Sequence, residues 1–160
     1  MDAQLMLYYG DRTLMGALDS VPQDKWEVGG VCGVWSVKDI IGHFAAYELM
    51  LGEVLSTFLD GGPTPLLDSM GKPGANFNDD QAALRKDWPS EKVLAEYQAA
   101  FARNKEQAAR VPADLWTKKG TIPWYGEEYS LDDFLVFTNY AHKREHTAEI
   151  GVFRDRLTKA

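Results

Sequence analysis

The stretch SLDDFLVFTNYAHKREHTAEIGVFRDRL, residues 130–157, decides how the chain is read. Ser130 with Asp133 three residues later resembles a helix N-cap and its acidic partner, a pair that satisfies free amides at a helix start. Behind it Leu131, Leu135, Thr138, Asn139, His142, His146, Ile150, Phe153 and Leu157 recur at helical spacing and trace one stripe. The spacing predicts a long helix that carries two histidines, one turn apart, on its inward face.

Working outward, the tetrapeptide SVKD at 36–39 repeats the cap pattern and predicts a helix running to about residue 58. On that helix Ile40, His43, Tyr47, Met50, Val54 and Phe58 share one arc, with Lys38 and Glu53 facing elsewhere, so His43 belongs to the buried side. Residues 2–18 predict an earlier helix with Leu5, Tyr8, Tyr9, Met15 and Leu18 at roughly helical spacing, ended by Val21 and Pro22. Pro89, Ser90 and Glu91 open another, whose Val93, Leu94, Tyr97, Phe101, Ala108 and Val111 form an apolar face up to Pro112.

Between the second and third of these helices lies DGGPTPLLDSMGKPGANFNDDQ, residues 60–81, whose Gly, Pro, Asn and Asp suit a long connection with one short helical turn. A connection of that length lets helices 2 and 3 run parallel. In LWTKKGTIPWYGEEYS, residues 115–130, Gly120, Pro123 and Gly126 break periodicity and could allow a short hairpin. The pattern predicts an all-α fold: a four-helix bundle with a long crossover connection between helices 2 and 3, in a single domain spanning 1–160.

With 45% apolar and 26% charged residues the composition is that of an ordinary folded domain, neither disordered nor fibrous. The formal net charge of -7, without any cluster of Lys or Arg, is the reverse of what nucleic acid or an anionic membrane surface requires. No stretch approaches the ~18 to 20 apolar residues of a membrane span, and the first residues are acidic where a signal peptide is basic. The expectation is a soluble, cytoplasmic protein acting on a small molecule. Cys32 is the sole cysteine, which precludes an intramolecular disulfide, and it is read as a structural thiol. Trp26, Trp35, Trp88, Trp116 and Trp124 are read as core residues.

All three histidines of the chain, His43, His142 and His146, fall on inward stripes. A lone histidine on an apolar face is most often a satisfied core residue. Three buried together would each need hydrogen-bond partners and could not all be protonated cheaply, whereas one divalent cation satisfies three lone pairs. Three protein ligands also leave a coordination position open, as catalytic rather than structural sites do.

The run HKREH, 142–146, spells H-x-x-E-H, a peptidase signature with Glu145 as the general base, but that motif needs a further carboxylate well downstream. Glu149 is the sole Glu after His146, so the peptidase reading is set aside. Glu149 itself projects near His142 on the helix wheel and could orient an imidazole, join the ligands or move a proton; the alternative is an ordinary surface carboxylate. Tyr47, one turn after His43, could donate a hydrogen bond to a metal-bound group or simply pack in the core.

The segments WSVKDIIGH, 35–43, and HKREHTAEI, 142–150, resemble the two signatures of the DinB-like family of metal-binding four-helix proteins, in order and spacing along nearly the whole chain. The resemblance implies the ligands His43, His142 and His146, and it places Gln or Glu where this chain has Glu149. It also implies a homodimer, while three imidazoles as ligands suit zinc or nickel first, with iron, copper or manganese as further candidates. The wider superfamily includes thiol S-transferases that use bacillithiol or mycothiol, a mycothiol-dependent isomerase, and proteins described as metal-dependent hydrolases. The isomerase branch carries Glu at the place of His142, which sets this chain apart from it. The implied functions are a metal-dependent transferase joining a low-molecular-weight thiol to an electrophile, a hydrolase with Glu149 as base, or a non-enzymatic metal-binding stress-response module.

Overall fold

The computed structural model describes residues 2–159. It is all-helical, with no strand among the described residues: α1 (Ala3–Asp19), α2 (Val37–Thr57), α3 (Pro65–Met70), α4 (Phe77–Arg85), α5 (Ser90–Arg110), α6 (Ala113–Trp116), α7 (Leu131–Leu135) and α8 (His142–Leu157). A π-helical turn, Val136–Ala141, joins α7 directly to α8. None of these helices is long and apolar enough to cross a membrane.

The two capping tetrapeptides do what their spacing predicts. Ser36 accepts the Asp39 amide while the Asp39 carboxylate takes the Ser36 N–H, and Ser130 and Asp133 repeat the reciprocal pair at α7. Removing such a cap costs about 1 kcal/mol.

Helix α2 is central, with buried residues on nearly every side, and its largest interface is with α5. The hydrogen-bonded pairs advance in the same direction along both helices: Asn104 to Glu48, Gln107 to Ser56, and Arg110 to Asp60 just beyond. The two helices therefore run parallel, as the length of the intervening connection suggested. Gly52 allows this close approach, because a Cβ there would lie 2.9 Å from Asn104 Oδ1. Gly42 does the same for α4, where an added Cβ would meet Arg85 Cδ at 3.0 Å.

The structure departs from the sequence expectations in four places. Two helices, α3 and α4, fill the connection expected to hold one turn; Glu53 anchors α3 by accepting the Leu66 and Leu67 amides, and Arg85 fixes α4 through its fork onto Glu96. Short helices of this kind are set by tertiary contacts rather than by an apolar period. Residues 115–130 form turns and the end of α6, not a hairpin.

On α1 the buried side is Ala3, Leu7, Gly10, Leu14 and Leu18, whereas Leu5, Tyr8 and Tyr9 are exposed. The inward face is built from small and aliphatic residues because the π-helical turn and α8 pack tightly on it at Gly10. Among the tryptophans, Trp26 and Trp116 are buried as expected, but Trp124 is half exposed, and Trp35 and Trp88 are only partly covered.

A buried ion pair crosses the core between α2 and α8. Lys143 and Glu48 have essentially no solvent exposure, and Lys143 Nζ donates to Glu48 Oε1 and to Asn139 Oδ1. Asn139 and Asn104 each donate to the same carboxylate, at 2.7 and 2.6 Å. A buried carboxylate is tolerated only with this density of donors. Lys143→Met should therefore cost about 3–5 kcal/mol, because it strands a buried charge. Adding Glu48→Leu should recover part of that loss, though it leaves the Asn139 amide without its acceptor. Urea denaturation of the single and double variants checks both statements, and equal stability of Lys143→Met and the parent would contradict them.

Candidate metal centre

Helix α2 presents His43, and α8 presents His142 and His146 from its first two turns. The structure brings all three together. His43 Nε2 lies 2.9 Å from His142 Nε2, and His146 Nε2 lies 3.2 Å from the same atom. His43 and His146 are buried and His142 is partly so. The imidazoles pack on Phe44, Tyr47 and Trp35, with the Trp35 ring stacked over His146 at 6.5 Å between centroids.

The protons on these rings follow from their outer partners. His146 Nδ1 lies 2.7 Å from Glu149 Oε2, and His142 Nδ1 makes a long 3.4 Å contact with the Thr138 carbonyl. Both oxygens can only accept, so both Nδ1 atoms donate. A neutral imidazole that donates at Nδ1 carries its lone pair at Nε2. His142 and His146 therefore turn lone pairs toward each other at 3.2 Å, with His43 Nε2 alongside and its buried Nδ1 without a hydrogen-bond partner. Facing lone pairs repel unless a cation lies among them, so this donor set fits a divalent metal ion.

Burial keeps His43 and His142 neutral. It pushes His43 down to about 3, with the charges that His142 and His146 would carry adding to the effect. His142 falls to about 4, again mainly by burial and then by His146. Neutral nitrogens are ready ligands at neutral pH without first losing protons.

The other residues singled out by the sequence fall differently around this centre. Glu149 binds the back of His146, away from the Nε2 cluster, where it fixes the ring's tautomer and orientation. Tyr47 packs its ring 4.6 Å from His43 and 4.8 Å from His142, and its hydroxyl points to Asn78 on α4, 3.5 Å away. Glu145 is exposed and takes no place in the cluster.

Four residues at the site were not read from the sequence as part of it. Cys32, Val34 and Trp35, from the turn before α2, and Asn78 line a pocket of about 370 Å³ that opens onto the three histidines. Cys32 also lies with His146 and Glu149 in a second group of possible ligands, and burial followed by the Glu149 carboxylate pushes its thiol up. Trp35 stands directly before the Ser36 cap, and that position could have flagged it. Asn78 offered no signal, because its helix shows no apolar period.

The chain belongs to the DinB superfamily, whose sequence model matches residues 6–150. No curated protein and no solved structure matches it.

Replacing His43, His142 or His146 by Ala should sharply lower the metal content of the purified protein, measured by elemental analysis, while the helical circular dichroism persists. Stoichiometric metal in all three variants would remove the centre. The depressed histidines also give the metal-free protein a defined pH response. Between the folded values of about 3 and 4 and the ordinary value near 6.5, the unfolded chain binds more protons than the folded one. Their contribution to stability is thus intact above about pH 6.5 and is lost progressively as pH falls toward 4. Thermal melts of the metal-free protein should show a lower Tm at pH 5 than at pH 7, and a smaller difference in His43→Gln.

Proposed function

We propose that this protein is a metal-dependent enzyme that transfers a low-molecular-weight thiol onto a small electrophile, and that its long helices act as a single-domain four-helix bundle holding the metal. The observation that carries the reading is the convergence of three imidazole Nε2 atoms, two of them with facing lone pairs, beside an open pocket. A divalent cation held there would lower the pKa of a thiol and supply thiolate at neutral pH. His43, His142 and His146 would hold the ion, Glu149 and the Thr138 carbonyl orient two of the rings, and Trp35 forms one side of the pocket.

In the displacement we have in mind, the thiolate sulfur forms a bond to an electrophilic carbon whose leaving group departs with its electron pair. The thiol proton leaves to solvent through the open pocket. The hydrolase reading assigned Glu149 as the base for water, yet its carboxylate is engaged on the far side of His146 at 2.7 Å. That placement favours orientation over proton transfer, and so favours the reaction that needs no carboxylate base.

The test is turnover of 1-chloro-2,4-dinitrobenzene with bacillithiol, mycothiol or cysteine as the thiol, with chloride as the leaving group. Thiol-dependent product formation above the uncatalysed rate, abolished by a chelator and restored by zinc or nickel, is the expected result. Glu149→Gln should weaken metal affinity by about 10- to 100-fold, as loss of a ligand's orienting partner does. Its turnover at saturating metal should stay near that of the parent. A large fall in turnover with metal fully bound would instead make Glu149 the proton acceptor and revive the hydrolase.

A further inference from the structure

A cavity larger than the histidine pocket has Tyr47 in its wall. It measures about 700 Å³, within the range of small-molecule sites, and its exposed lining is mostly apolar. Met50 of α2, Leu67 and Met70 of α3, Trp124 of the 117–130 turn region and Phe134 of α7 form its walls. Trp124 packs edge-on against Phe134 at 5.3 Å while 49% of its surface faces solvent, an unusual exposure for a tryptophan at the mouth of an apolar cavity. The elements that build this cavity are held in place by defined contacts: Glu53 caps α3, and the Ser130–Asp133 box fixes the start of α7.

Two residues tie the cavity to the metal centre. Tyr47 lines it and also packs on His43 and His142. Thr138 lines it and also offers its carbonyl to His142 Nδ1. The Tyr47 hydroxyl reaches Asn78, which lines the histidine pocket, through a contact of 3.5 Å that is at the limit of a hydrogen bond. Tyr47 thus stands between this cavity of about 700 Å³ and the imidazoles that line the smaller pocket of about 370 Å³. A reaction between two small molecules needs two binding places that meet at the reacting atoms.

We infer that the Met50–Leu67–Trp124–Phe134 cavity binds the uncharged, apolar body of the electrophile, most of it an aromatic or branched aliphatic group, while the histidine pocket receives the thiol. The inference rests on the thiol-transfer reading for the name of its ligand, but the binding it asserts can be measured without turnover. Tyr47 becomes a divider that positions the electrophile against the centre.

The experiment uses N-phenyl-1-naphthylamine, an uncharged fluorophore that brightens in apolar surroundings. The full-length protein should bind it saturably at one site. Trp124→Ala, at a half-exposed position whose loss spares the core, and Leu67→Asp should each weaken binding at least tenfold with unchanged circular dichroism and metal content. Metal-depleted His43→Ala should still bind it, because Met50, Leu67, Trp124 and Phe134, the apolar walls, come from residues other than the ligands. In turnover assays the fluorophore should compete with the electrophile and not with the thiol, and Trp124→Ala should raise KM for the electrophile alone. No saturable binding, binding unaffected by both wall variants, or competition with the thiol would each overturn the inference. Saturable, wall-dependent binding in a protein that shows no thiol turnover would sink the transfer reaction and leave the cavity's role as an apolar ligand site standing.

Discussion

The buried Lys143–Glu48 pair is the interaction on which the rest depends, because it fixes the rotational phase of α8 against α2. Lys143 follows His142 directly and sits about 100° round the helix from it. When Lys143 and Asn139 point at Glu48, His142 and His146 have one direction left, and it is the direction of His43. The inward residues Leu131, Leu135, Asn139 and Lys143 are spaced by four, and at 3.6 residues per turn each such step would drift by about 40°. The π-helical turn, Val136–Ala141, has a wider period and absorbs that drift. Without it, either the ion pair or the histidines would leave the interface.

Much of the candidate metal centre was legible because it obeys periodicity. His43, His142 and His146 share faces with Ile40, Met50, Leu135 and Ile150, and the two capping boxes mark where those faces begin. What was not legible breaks the assumption that charge means solvent. Glu48 stands in the apolar run HFAAYELML, and Lys143 stands between two stripe residues, and neither pattern distinguishes a buried partner from an exposed one. A different assumption, that an aromatic residue means the core, mis-phases α1, where Tyr8 and Tyr9 lie outward and Gly10 and Ala3 carry the contact. Helix α3 is too short to show a period, so the cavity it helps to build could not be foreseen.

The centre is coupled to its surroundings through protons it does not carry. Burial disfavours imidazolium at His43 and His142, and the acceptors at Thr138 and Glu149 draw the remaining ring protons to the outside. The result is a cluster of lone pairs in a mostly apolar wall of Phe44, Tyr47 and Trp35. Such a wall lowers the local dielectric and so strengthens every electrostatic interaction at the site.

Cys32 shows how the entrance is linked to this arrangement. The turn that carries it is closed by Val31 donating to the Trp35 carbonyl and Trp35 donating back to Cys32, with Gly30 and Gly33 at positive φ where other residues would be strained. The turn ends on the Ser36 cap, so the same structure that starts α2 sets both Trp35 over His146 and Cys32 beside Glu149. Burial and the neighbouring carboxylate hold Cys32 in its thiol form. A protonated thiol is a weak donor and a poor nucleophile, so Cys32 adds a donor on the outer side of Glu149 without competing for the place where a thiolate would be made. Glu149 then stands between the thiol and the His146 N–H, its negative charge shared by neighbours that both favour the acceptor role.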